Sequence, residues 1–201
     1  LFDFLNEVKK KETPIIRSTL SMQCLKDFGF LTFVLDSYRR LNEHHTIPVQ
    51  HLALLCAMVV DMARNGAFKE DYVRALISFA SMGLSSTNPE LQATGLLVLS
   101  QVAINVALSG EVITACLNNS LRVENINMTQ LTECILILLR NNPSYQMPMD
   151  TAKMFLQNQT LQSSLQNLAK KVSIFPIATA LANAHVTLLI SSDQYIPQLR
   201  V

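Results

Sequence analysis

Charge is scarce in this sequence. Only 15% of its 201 residues are Asp, Glu, Lys or Arg, against about a quarter in an ordinary globular domain. The balance is +1, so no net field draws the chain toward nucleic acid or an anionic membrane. Glycine is sparse too. Five residues, placed near helix ends and at position 95, leave neither a G-x-G-x-x-G nor a G-x-x-x-x-G-K-[ST] phosphate loop. There is no G-x-S-x-G elbow, and no histidine lies within four residues of any of the four cysteines in sequence. Those cysteines, Cys24, Cys56, Cys116 and Cys134, lack C-x-x-C or C-x-x-H spacing and read as buried, reduced thiols in a reducing, intracellular setting, nuclear or cytoplasmic. Tryptophan is absent altogether. These absences point away from an enzyme. No catalytic, cofactor-binding or metal residue is assigned, no cofactor, and no small-molecule substrate.

What the chain has in quantity is apolar side chains, 49% of the total, and they recur at helical spacing. Leu1, Phe4, Leu5 and Val8 form one stripe, ending in Lys9–Lys11, where positive charge suits a helix C-terminus. Thr13-Pro14 opens a second helix, which Gly29 breaks or bends, and Phe33–Leu41 carries a third. Ile47-Pro48 starts a helix ended by Asn65-Gly66 in a left-handed C-terminal turn. Phe68–Met82 is amphipathic, with Tyr72, Leu76, Phe79 and Ala80 inward, and Gly83 as its stop. Asn88-Pro89-Glu90 is a capped start. Helices follow over 111–121 and 128–140, then a loop over 144–149. Asp150 caps a single helix reaching the stripe Leu161, Leu165, Leu168 and Val172, and a last helix covers 177–190. Period-two alternation is missing, and the one Asn-Gly pair, Asn65-Gly66, closes a helix and not a hairpin, so no strands are expected.

Two uncharged runs approach the length of a membrane span, Leu91–Gly110 and Val172–Ser192. The first carries Thr94, Gln101, Asn105 and Ser109 on one face; the second holds Pro176, Asn183 and His185. A polar stripe marks helices packed in protein, and no membrane contact is assigned. The three N-x-S/T sequons at Asn118, Asn127 and Asn158 carry little weight for secretion. His44, His45 and His51 lack a carboxylate or cysteine to complete a metal set, and His185 sits on an apolar stripe as a core histidine.

The starts at Pro48, Pro89 and Met128 are 41 and 39 residues apart, the period of a two- or three-helix repeat. One such pair cannot bury its apolar face alone, whereas a stack can. The expectation is therefore an all-α fold, an α-solenoid forming one segment over 1–201. Its approximate units are 14–47, 48–87, 88–127, 128–171 and 172–201.

The phrase from Asn88 to Ala103, N-P-E-L-Q-A-T-G-L-L-V-L-S-Q-V-A, resembles the third helix of an armadillo repeat, in the armadillo/HEAT family. Its polar cap, the small residue at Gly95 and the ending Leu99-Ser100-Gln101-Val102-Ala103 carry the likeness, with Ala53 and Cys134 as echoes of Gly95. The resemblance implies a scaffold that binds a partner protein, either a helix or an extended segment, along its inner surface. At the family's asparagine-ladder positions stand Val59, Gln101 and Arg140, with Leu55, Leu97 and Leu136 a turn earlier. That departure removes the asparagine-and-tryptophan grip on extended peptides. The partner-binding stripe expected instead is Leu97, Gln101 and Asn105, continued by Leu136, Arg140 and Val59. The alternative is a HEAT-like element lying against nucleic acid through Lys170, Lys171, Arg200 and the N-terminal lysines.

Overall fold

The computed structural model describes residues 6, 9, 15–43, 47–66, 68–123 and 125–191, with side chains as far as 187. Ten helices of eight or more residues and no strand occur among the described residues. All of the expected helix over residues 1–8 except position 6, together with His44, His45, Thr13-Pro14 and the tail with Arg200, lies outside them. The chain forms two compact units, 1–106 and 107–201, and this division falls within the expected repeat 88–127.

The first unit holds α1 (Arg17–Lys26), α2 (Phe28–Glu43), α3 (Val49–Asn65), α4 (Glu70–Leu84) and α5 (Pro89–Asn105). α1, α3 and α5 pack side by side in one layer, and α2 and α4 form the other. The layers join through the pairs α1–α2 and α4–α5. The second unit repeats the scheme with α6 (Gly110–Arg122), α7 (Met128–Asn141), α8 (Met149–Gln157), α9 (Gln159–Ala169) and α10 (Phe175–Ser191). Here α8 touches both α6 and α10, and α7 packs on α9 and α10. Contacts between helices two apart in sequence, in two layers, are the serial stacking of an α-solenoid.

Local chemistry sets the helix ends. Asn88 Oδ1 accepts from Glu90 N and Leu91 N at 2.9 and 3.1 Å, with Pro89 in the first turn. Asn127 caps α7 in the same way, through Thr129 N and Gln130 N. The break between α1 and α2 falls at Asp27 rather than Gly29. Its backbone is extended there, and its carboxylate accepts from Phe30 N at 3.2 Å. Gly66 ends α3 in extended backbone, φ −167°, and not in the left-handed turn its sequence implies. The single helix expected from Asp150 to Val172 is two. Pro148 rather than Asp150 is the N-cap of α8, and at Asn158 the backbone extends while its side chain accepts from Leu161 N at 2.9 Å, capping α9. Val172 lies beyond that helix and is exposed.

Gly83 does not stop α4, which continues to Leu84. Its function is proximity. A Cβ at Gly83 would stand 2.8 Å from Leu91 O and 3.3 Å from Gly95 Cα, and one at Gly95 would stand 2.9 Å from Ala80 O. The α4 and α5 backbones therefore meet at a glycine–glycine crossing, and the adjoining Ala80, Leu84 and Leu91 are each 1% exposed or less. Polar ties cross elsewhere in the unit. Tyr72 Oη donates to Leu25 O at 3.0 Å, Tyr38 Oη to His51 O at 2.7 Å, and Arg17 pairs with Asp61 at 2.6 Å.

Both Gly83→Ala and Gly95→Ala push a methyl against backbone that has no rotamer to yield. Each is expected to destabilise the first unit by about 1–3 kcal/mol, read as a lowered urea midpoint with helical circular dichroism retained in water. Ala93→Gly on the half-open side of α5 is the control, expected to cost only the helix propensity of about 1 kcal/mol.

Candidate interaction surface

The residues expected to contact a partner separate by burial. Val59 is 0% exposed, packed inside the first unit, and is a core residue, not a contact. α3 has a helix on each side in its layer, so the position that would face a groove is covered. On α5, Leu97 and Gln101 are half-buried and Asn105 is exposed. Asn105 Nδ2 donates to Gln101 O at 2.8 Å, which turns its amide along the helix. Ile104, 52% exposed, stands beside them. This leaves one strip of α5 open, alternating aliphatic and amide, while Leu91, Leu96, Val98, Leu99, Val102 and Ala103 are buried. Leu136 is half-buried and Arg140 exposed on α7, in the second unit.

His185 is exposed, with its Nδ1 2.8 Å from Leu181 O, and is not the core histidine that its apolar neighbours imply. The open side of α10 explains the difference, since Phe175 and Val186 are 72% and 51% exposed there. Lys170 and Lys171 are exposed beyond α9, and Lys170 Nζ bonds Asn167 Oδ1 at 3.2 Å.

Two depressions in the second unit leave no mark in the residue pattern. The larger, of about 680 Å³, lies between α6 and the loop 142–148 and is lined by Leu108, Glu111, Thr114, Asn118, Ser144 and Tyr145 among others. The smaller, of about 150 Å³, includes Arg140, Pro143, Phe175 and Pro176. Asn142 and Tyr145 line both. Asn142 is buried; its Oδ1 accepts from Leu108 N and its Nδ2 donates to Leu138 O, both at 2.8 Å. That single amide ties Leu108 and the end of α7 to the loop. In sequence, Asn142 reads only as part of a helix stop.

Three of the cysteines are buried and Cys56 is half-buried; all four are free thiols. Burial pushes Cys24 up to about 12 and Cys116 up to about 11, from an ordinary 9.0. Thiols so held are protonated at neutral pH and poor nucleophiles. Among the described residues, no three His, Cys, Asp or Glu side chains gather as a metal site, and no helix is long and apolar enough to cross a membrane.

No known family profile matches the chain. It is similar to HEAT repeat-containing protein 1 of Danio rerio, 24% identical over 191 residues, which is 89% of this chain. The match spans only 9% of that protein's length.

Removing the amide of Asn142 strands the Leu108 N–H. Asn142→Ala is expected to cost about 1–3 kcal/mol and to speed hydrogen exchange at the Leu108 amide selectively. The raised thiols set a pH dependence. The unfolded chain ionises above 9.0 while folded Cys24 stays protonated until about 12, so their stabilising contribution is complete below the lower value and is lost as pH rises toward the upper. Urea midpoints are expected to hold level up to about pH 8 and to fall above about pH 9, with a shallower fall in Cys24→Ala.

Proposed function

We propose that this chain, an armadillo/HEAT-type helical-repeat segment, works as a non-enzymatic scaffold that binds a partner protein, as part of a larger intracellular protein. The observation that carries this reading is the strip left open on α5. Stacking covers most of the apolar circumference of α5, and the strip it leaves open on that helix is Leu97, Gln101, Ile104 and Asn105 in a row. Leucine and isoleucine cover apolar side chains of a bound helix or extended segment, while the amides satisfy its backbone groups. In the second unit, Leu136 and Arg140 supply the corresponding pairing of apolar and polar contact. The four free thiols fit a reducing setting, and the low charge leaves little to hold a phosphate backbone.

The test begins with proteins retained by the immobilised chain. The strongest is purified, and its affinity is measured for the wild type, Gln101→Glu and Arg140→Ala. Each substitution is expected to weaken binding about tenfold, or ~1.4 kcal/mol, with the circular dichroism unchanged. Binding unaffected by both removes these faces. Tight, salt-sensitive binding of duplex or single-stranded oligonucleotides, weakened by Lys170→Ala with Lys171→Ala, would replace the reading with a nucleic-acid one.

A further inference from the structure

The two depressions of the second unit adjoin at Asn142 and Tyr145, and each carries one charged side chain: Glu111 in the larger, Arg140 in the smaller. Both are exposed, and neither takes part in an ion pair among the described residues. Elsewhere carboxylates and cations do meet, as in Arg17–Asp61 and Arg74–Glu70. Glu111 lies in the first turn of α6 and Arg140 in the last turn of α7, where each sign suits the helix dipole, and both stay open to a further charge.

The hydroxyls of the larger depression have a defined polarity. Thr114 Oγ1 donates its one proton to Gly110 O at 2.8 Å, so at the 2.9 Å contact with Tyr145 it is the phenol that donates. The lone pairs of Tyr145 Oη are thereby left to accept. Together with the Glu111 carboxylate they give this depression acceptors, beside the donors of Asn118, Ser144 and Gln146, for the several N–H groups of a lysine or arginine side chain. The smaller depression has the opposite character. Arg140 brings a planar fork of donors that suits a carboxylate, beside the open ring of Phe175.

We propose that the two depressions are the halves of one docking groove for an extended segment of a partner protein, bearing a basic side chain and, within a few residues, an acidic one. The basic group enters beside Glu111 and Tyr145, and the acidic group meets Arg140. Asn142, locked by its bonds to Leu108 and Leu138, holds the shared wall in place. This rests on the scaffold reading and gives it a charge pattern.

The experiment uses the whole isotopically labelled chain and the peptide acetyl-Ala-Arg-Ala-Ala-Glu-Ala-amide, with versions in which the two charges are one or two residues closer or farther apart. Amide shift changes are expected at Glu111, Thr114, Arg140 and Tyr145 with at least one spacing. The affinity is expected to fall about tenfold in Glu111→Gln, and peptides with Arg or Glu at both sites, or Ala throughout, are expected to bind at least as weakly. No shift change at millimolar peptide, changes elsewhere, or equal binding to Glu111→Gln would overturn the groove. A purified partner that binds the Glu111→Gln chain as tightly as the wild type, yet loses affinity in Gln101→Glu, would leave the scaffold reading standing and remove this one.

Discussion

A helix that is apolar around nearly its whole circumference has to be covered on more than one side, and α5 is such a helix. Six of its aliphatic side chains are buried, as are Gln92 and Thr94, and covering each large one stabilises the fold by about 1.5–3 kcal/mol. One partner helix reaches only one side. The fold meets the demand with α4 across the layer and α3 within it, and the closest approach is made by removing side chains altogether, at Gly83 and Gly95. The second unit repeats the solution around α7 and α8 with different residues. There the polar ties Thr151–Asn118, at 2.8 Å, and Thr132–Ser164, at 3.0 Å, fix neighbours where aliphatic packing is thinner.

Function follows from what the stacking leaves over. Packing uses most of α5 and the inner faces of its neighbours, and burial raises the Cys24, Cys56 and Cys116 thiols so that they stay protonated. The surfaces proposed for contact are of two kinds. One is a mixed aliphatic and amide strip on a single helix. The other is a loop-walled depression with its charges unpaired. Both are suited to holding a segment of another chain, and neither arranges an acid, a base and a nucleophile together.

Much of the fold was legible because helix chemistry is local. Asn88-Pro89-Glu90 announces α5 by its cap, and the capping bonds are there; the inward set Tyr72, Leu76, Phe79 and Ala80 is buried as its spacing requires. The failures share one cause, which is that a single sequence does not say how many neighbours a helix has. Val59 lay on the expected face, yet that face is covered. His185 lay among apolar residues, yet α10 is open on that side. Gly83 looked like a stop because a backbone approach from Gly95 leaves no mark in its own vicinity. The break at Asn158 was hidden in a run of amides, Gln157-Asn158-Gln159, which serve a helix interior or a cap equally well. Of the surface proposed for contact, the openness of Gln101 and Asn105 follows the expected spacing, although Thr94 on the same face is buried. The depression beside Tyr145 was not readable, since it joins α6 to a loop some thirty residues away through Thr114 and Asn142.

The central claim is serial stacking, in which each inner helix of a layer has one neighbour before it and one after. Methyl and amide NOEs in the labelled chain test this most directly. The account predicts that α3 shows cross-peaks of comparable strength to α1 and to α5, that α8 does so to α6 and α10, and that α1 and α5 show none of that strength to each other. Strong cross-peaks between α1 and α5, closing the first five helices into a bundle, would contradict it.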